Sequence, residues 1–114
     1  MIDADVLKEN ADDVLLLTLV SKDANLSRSE RFRDYVINEI ESGELKIIIS
    51  FENVDYLDSS FLGALVAILK HLVPKGGKLF LVEMNNDIRN LFELTRLDKI
   101  FNLKNSVETA LKEF

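Results

Sequence analysis

The chain has 114 residues, 47% of them hydrophobic, which is enough for one domain with a real core and leaves no room for two. It contains no cysteine, which excludes disulfides, thiolate metal sites and cysteine nucleophiles. Its 20 acidic and 14 basic residues give a net charge of −6, a field that makes nucleic acid and anionic membrane poor partners and favours a basic protein surface.

Met1-Ile2-Asp3-Ala4-Asp5 lacks the basic start and apolar run of a signal peptide. The longest apolar run falls short of the roughly 20 residues that a membrane helix needs. The expectation is a single domain over 1–114, soluble and cytoplasmic.

Residues from about 4 to 9 form a first short strand, and Asn10-Ala11-Asp12-Asp13 is a turn cluster. Val14 to Val20 is apolar on both faces, as an interior strand is. The two strands read as a hairpin. Ser21 to Leu26 is polar and reads as a loop. Ser27 with Glu30 three residues on has the capping-box spacing. The helix that follows carries Phe32, Val36, Ile37 and Ile40 at helical spacing and ends at Gly43, which tolerates the left-handed conformation of a helix end.

Leu45-Lys46-Ile47-Ile48-Ile49-Ser50-Phe51 is short and rich in β-branched residues, and predicts a buried strand. It runs into Asn53-Val54-Asp55-Tyr56-Leu57-Asp58-Ser59-Ser60-Phe61-Leu62-Gly63, and a long apolar helical pattern runs out. At about 100° per residue, Phe61, Leu62, Leu65, Val66, Ile68, Leu69, Leu72 and Val73 share one arc. Gly63, Ala64, Ala67, Lys70 and His71 take the opposite arc, which is small rather than charged. Pro74 and Gly76-Gly77 end this helix.

Leu79 to Val82 is another buried strand. Asn85-Asn86-Asp87 offers caps for a third helix with Ile88, Leu91, Phe92 and Thr95 or Leu94 inward. Ile100-Phe101-Asn102-Leu103 is a weak strand. Ser106 caps a last helix with Val107, Ala110, Leu111 and Phe114 inward. The order β-β-α-β-α-β-α-β-α predicts an α/β fold, in which an opening hairpin joins parallel strands in a mixed sheet covered by about four helices.

Few residues can carry chemistry. One His and no Cys, with carboxylates in no ligand pattern, predict no metal site and no cofactor. Pro74-Lys75-Gly76-Gly77-Lys78 runs from helix to strand, whereas a phosphate loop runs from strand to helix. Ser59 and Ser60 sit at a strand-to-helix turn, but Asp58 and Phe61 stand where a nucleophile elbow needs glycines. His71 lies about three turns along the same helix, roughly 18 Å from Ser59, too far to act as its base. The expectation is that the chain is not an enzyme.

Two readings of Asp58-Ser59-Ser60 remain compatible. Any of the three can cap the helix. A capping serine at a surface junction is also open to a kinase, and a phosphate there, with about −1.5 to −2 charges, sits favourably on a helix N-terminus. It would not unfold the helix; it would change what can dock there.

Leu45 to Gly63 resembles the signature of STAS domains, and in particular of bacterial anti-sigma factor antagonists: an apolar strand, a hydrophobic-Asp-Ser-Ser/Ala-Gly-Leu-Gly turn, then a helix. Gly76 to Val82 resembles the family's next strand, and Ile88 to Phe101 its third helix and last strand. The resemblance implies partner switching. The unphosphorylated antagonist binds an anti-sigma factor that is also an ATP-using Ser kinase, a sigma factor is released, and phosphorylation ejects the antagonist until a phosphatase resets it.

Carried over, the phosphoacceptor is Ser59, with Asp58, Ser60, Phe61, Leu62 and Gly63 at the partner-binding turn and Asp23 and Asn25 in the loop before the first helix. Phe61 stands where the family usually has Gly. Asn25 aligns with an Asp that helps to engage the kinase. An alternative that the resemblance also allows is a non-phosphorylated STAS scaffold or transporter-associated module, with Phe61 and the small outer face of the second helix as its interface.

Overall fold

A computed structural model describes residues 6–114. Of the expected first strand, residues 4 and 5 lie outside the described residues. The strand runs Val6–Ala11 (β1) and pairs antiparallel with Val14–Leu19 (β2), Ala11 facing Val14 across a two-residue turn. Asp12 takes the left-handed conformation (φ 57°), which short polar side chains tolerate.

Three further strands, Lys46–Ser50 (β4), Lys78–Val82 (β6) and Asn102–Lys104 (β7), extend the sheet in the order β1-β2-β4-β6-β7, every pair after the hairpin parallel. Each parallel step needs a crossover. Leu26–Glu41 (α1), Ser59–Leu72 (α2) and Asn86–Leu94 (α3) supply them, and Val107–Leu111 (α4) follows the last strand.

Strand alternation divides the core. Leu15, Leu17, Ile47, Ile49, Leu79 and Leu81 point to the face covered by α1, α2 and α3, where they meet Val36, Leu65 and Phe92. Ile48, Phe80 and Val82 point to the other face, where α4 supplies Ala110. Phe114 closes that side edge-on to Phe80, with ring centroids 4.8 Å apart. Ile47, Ile48 and Ile49 are all fully buried, which is why this strand reads as an unbroken β-branched run. Each contributes about 1.5–3 kcal/mol of burial.

The main element order is the expected one, with several local differences. The loop over Ser21 to Leu26 contains a two-residue strand, Asp23–Ala24 (β3), paired parallel with Tyr56–Leu57 (β5) in a small second sheet. The Ser27–Glu30 capping box does not form. The first helix starts two residues earlier, Asn25 is its N-cap, and the Ser27 hydroxyl donates to Asn25 Oδ1 (2.7 Å).

Val73 is exposed rather than inward, because the helix ends in a 3-10 turn, Val73–Lys75, built around Pro74. Ala64 is buried rather than outward, because α1 packs over that side of α2. Ile100 is exposed and precedes the strand. Arg96, in the left-handed region, starts a 3-10 turn over Leu97–Lys99, and this delays β7 to Asn102. Leu111 is also exposed, since α4 is only five residues long. Gly77 is needed for a close approach: a Cβ there would run into Leu72 and come within 2.9 Å of the Leu45 carbonyl.

Candidate functional site

The parallel strands point their carboxyl ends toward one edge of the sheet, and α1, α2 and α3 begin there. Asn53 Nδ2 donates to the Leu19 carbonyl (3.3 Å), and Asn85 Nδ2 donates to the carbonyls of Val54 (3.3 Å) and Asp55 (3.2 Å). These bonds satisfy backbone groups freed where the strands end. Asn85 also caps α3, its Oδ1 accepting from Ile88 N (2.8 Å).

Asp58 is the hub of this edge. Its Oδ1 accepts from Phe61 N (3.0 Å) and so caps α2. Its Oδ2 accepts from Leu26 N (2.9 Å), the first amide of α1. Its own amide donates to the Ala24 carbonyl (3.0 Å), while Asp55 N and Tyr56 N both donate to the Lys22 carbonyl (2.8 and 3.1 Å). One carboxylate therefore joins two helix N-termini, whose partial positive charge suits it. Asn25 contributes no side-chain cap to α1; Asp58 supplies that acceptor from 32 residues away.

The β3–β5 pairing sets Asp23 opposite Tyr56 and Ala24 opposite Leu57, so the loop that carries Asp23 and Asn25 runs alongside the chain that leads into Asp58. Ser59 is the first residue of α2 and is exposed. Among the described residues its hydroxyl has no hydrogen-bond partner. Ser60 is half-buried and faces a second groove of about 320 Å³ with Leu26, Glu30, Arg33 and Gly63. Gly63 is exposed, and an added Cβ would meet nothing within 4 Å. The glycine therefore serves no contact within the described chain and leaves a bare backbone on the groove floor.

Phe61 departs from the expectation. Its ring is 1% exposed and stacks on Phe32 (centroids 5.2 Å apart, planes at 22°), wedged between α1 and α2. It is on the inner arc with Leu65, Ile68 and Leu72, so a partner cannot touch the ring; it sets the spacing of the two helices instead. Leu62 is nearly as buried, at 8%, and shows only an edge.

On the other side of Ser59 lies an open groove of about 440 Å³ between α2, β5 and α3. Tyr56, Leu62, Ile88 and Leu91 give it an apolar lining, and Asp55 and Asp87 stand on its rim. Sequence reasoning missed Leu26, Tyr56, Asp55 and Asp87 as parts of this edge. Asp55 and Tyr56 lie just ahead of Asp58, but Leu26 on α1 and Asp87 on α3 are far from them in the chain, and no spacing links those two to the turn.

Among the described residues no group of three or more His, Cys, Asp or Glu side chains could hold a metal. No helix there is long and apolar enough to cross a membrane. His71 is exposed, its Nδ1 3.0 Å from the Ala67 carbonyl, well down α2 from Ser59. Lys8 and Asp13, whose titrations are displaced, lie away from this edge: a hydrogen bond with Glu39 raises Lys8, and one with Lys46 lowers Asp13.

The profile of the STAS domain matches residues 5–110. The chain belongs to the STAS family. A Thermotoga maritima protein described as a candidate anti-sigma factor antagonist is 32% identical over 103 residues, 90% of this STAS domain and 90% of that protein. A crystal structure of an anti-sigma factor antagonist candidate from the same organism superposes with a TM-score of 0.87 at 29% identity, covering 95% of this chain and 92% of that one. The anti-sigma factor antagonist SpoIIAA in its unphosphorylated form shares the fold, with a TM-score of 0.73 at 18% identity over 95% of this chain and 94% of that one.

Proposed function

We propose that this STAS domain is an anti-sigma factor antagonist whose binding is switched at Ser59. Unphosphorylated, it binds an anti-sigma factor that is also an ATP-dependent Ser kinase, and so frees a sigma factor. The kinase then phosphorylates Ser59. The Ser59 Oγ attacks the γ-phosphorus of ATP, an Oγ–P bond forms, the bond to ADP breaks, and the serine proton passes to a base on the kinase. A phosphatase returns the phosphate to water. The chain itself is a substrate and binding module, not a catalyst.

The observation that carries this reading is the Ser59 hydroxyl, which is exposed, without a hydrogen-bond partner among the described residues, and held on a helix start that Asp58 anchors twice. An acceptor fixed on a rigid element loses little entropy on alignment with a phosphoryl donor. The family and its named relatives supply the partner class.

The test is incubation with purified anti-sigma kinases and ATP. One phosphate per chain is expected, lost in Ser59→Ala. Ser59→Asp should weaken binding about tenfold or more, equivalent to about 1.4 kcal/mol. Undiminished labelling of Ser59→Ala would rule the reading out.

Asn25, whose Oδ1 accepts from the Ser27 hydroxyl, favours a second reading, a non-phosphorylated scaffold or transporter-associated module. That reading predicts a complex indifferent to Ser59→Asp.

A further inference from the structure

We infer that the groove between α2 and α3 seats a helix of the protein partner that presents an arginine one turn from an aliphatic side chain. This deepens the proposed function and rests on its reading of the Ser59 edge as the partner-facing one.

The floor is apolar: Leu62 and Ile88 are 8% and 3% exposed, and Leu91 is half-buried beside them. A floor of this kind accepts an aliphatic side chain. The rim is anionic. Asp55 and Asp87 are exposed and line the groove, their carboxylates make no hydrogen bond or ion pair among the described residues, and no Lys or Arg lines it with them. Asp58 also borders the groove, but both its oxygens are already engaged by amides. Two unpaired carboxylates over an apolar floor are complementary to a cationic, partly apolar occupant. The same charge disfavours a nucleotide or any other phosphate-bearing ligand.

Tyr56 narrows the choice of cation. The residue is 57% exposed on the groove wall, and among the described residues its side chain has no hydrogen-bond or ring partner. A guanidinium can lie on that face while its fork reaches a carboxylate, which an ammonium does less well. The groove has a helix on either side, a setting in which an amphipathic helix docks by anchors one turn apart.

The arrangement is consistent with ejection by phosphate. Transfer requires the donor's phosphates to face Ser59 on the α2 wall, so a phosphorylated Ser59 repels the nucleotide end of the kinase. The arginine is held on the rim by Asp55 and Asp87.

The test is an amide NMR titration of the full chain with a capped Ala-Leu-Arg helical peptide, Leu and Arg spaced i, i+4. A peptide with Glu for Arg, and ADP, serve as comparators. Shifts are expected at Tyr56, Leu62, Ile88 and Leu91 with the arginine peptide alone. They should weaken with added salt and fall about fivefold in affinity in Asp55→Asn/Asp87→Asn, whose spectrum elsewhere stays unchanged. Equal binding of the Glu peptide, shifts that map to Val66, Leu69 and Val73 instead, absence of shifts, or capture of ADP in the groove would overturn it. With the kinase, the double variant should raise the KM for the acceptor. Wild-type chain left unlabelled by kinases would refute the Ser59 reading alone, and the peptide map would then decide the groove by itself.

Discussion

Asp58 and Phe61 carry the residue-scale argument, because both connect α1 to α2 and neither can be replaced quietly. Asp58→Ala removes a helix cap and the acceptor of the Leu26 amide together. Each such loss costs about 1 kcal/mol, so about 2 kcal/mol is expected from urea unfolding. Asp58→Asn keeps one acceptor and should fall between; equal stability of all three forms would contradict the double anchor. Phe61→Ala should cost about 3–4 kcal/mol, since it empties a buried site stacked on Phe32. Ser59→Ala should leave stability unchanged. The cap on α2 was legible in the sequence, because Asp-Ser-Ser before an apolar period is a local signal. The bond to Leu26 was not, because nothing local joins residues 32 positions apart.

At the scale of elements, what the sequence showed were the long periodic pieces. Ile47 to Ile49 and the arc of α2 announce their environments through composition and spacing. The β3–β5 pair is invisible in that reading, because two residues cannot display a period. Ser27–Glu30 misled for a related reason. The spacing of a capping box was present, but Asp58 already supplied the first turn's acceptor from outside. Gly63 gives a test at this scale. With open space where a Cβ would go, Gly63→Ala should stabilise the helix by about 0.5–1 kcal/mol in thermal or urea unfolding. Under the proposed function it should also weaken partner binding, since the methyl group would stand on the docking face. Unchanged binding would remove Gly63 from that face.

The whole molecule places the site by topology. Parallel strands joined by crossovers bring their carboxyl ends to one edge, where ligands of open α/β sheets gather. That edge was foreseeable from the order of elements, and its groove was not, because its walls come from α2, β5 and α3 at once. The opening hairpin is tied to the rest by charge: Lys8 to Glu39 on α1 (3.0 Å) and Lys46 on β4 to Asp13 in the turn (2.8 Å). The Lys46 contact lowers Asp13, so its contribution is present above the ordinary carboxylate range and fades as pH falls through the lowered value. The Glu39 contact raises Lys8, so its contribution is present below the ordinary lysine range and fades as pH rises through the raised value. Hairpin stability, followed by amide chemical shifts in β1, should therefore be flat across neutral pH and decline at both extremes. A monotonic trend would contradict it.

Recombination among relatives meets a constraint at Asp58. A chimera that takes its first helix from one parent and its second from another inherits a carboxylate tuned to one amide and an amide awaiting a different carboxylate. Residues 21–26 and 56–61 are then one heritable unit written in two places. Partner specificity should transplant cleanly only when both segments travel together.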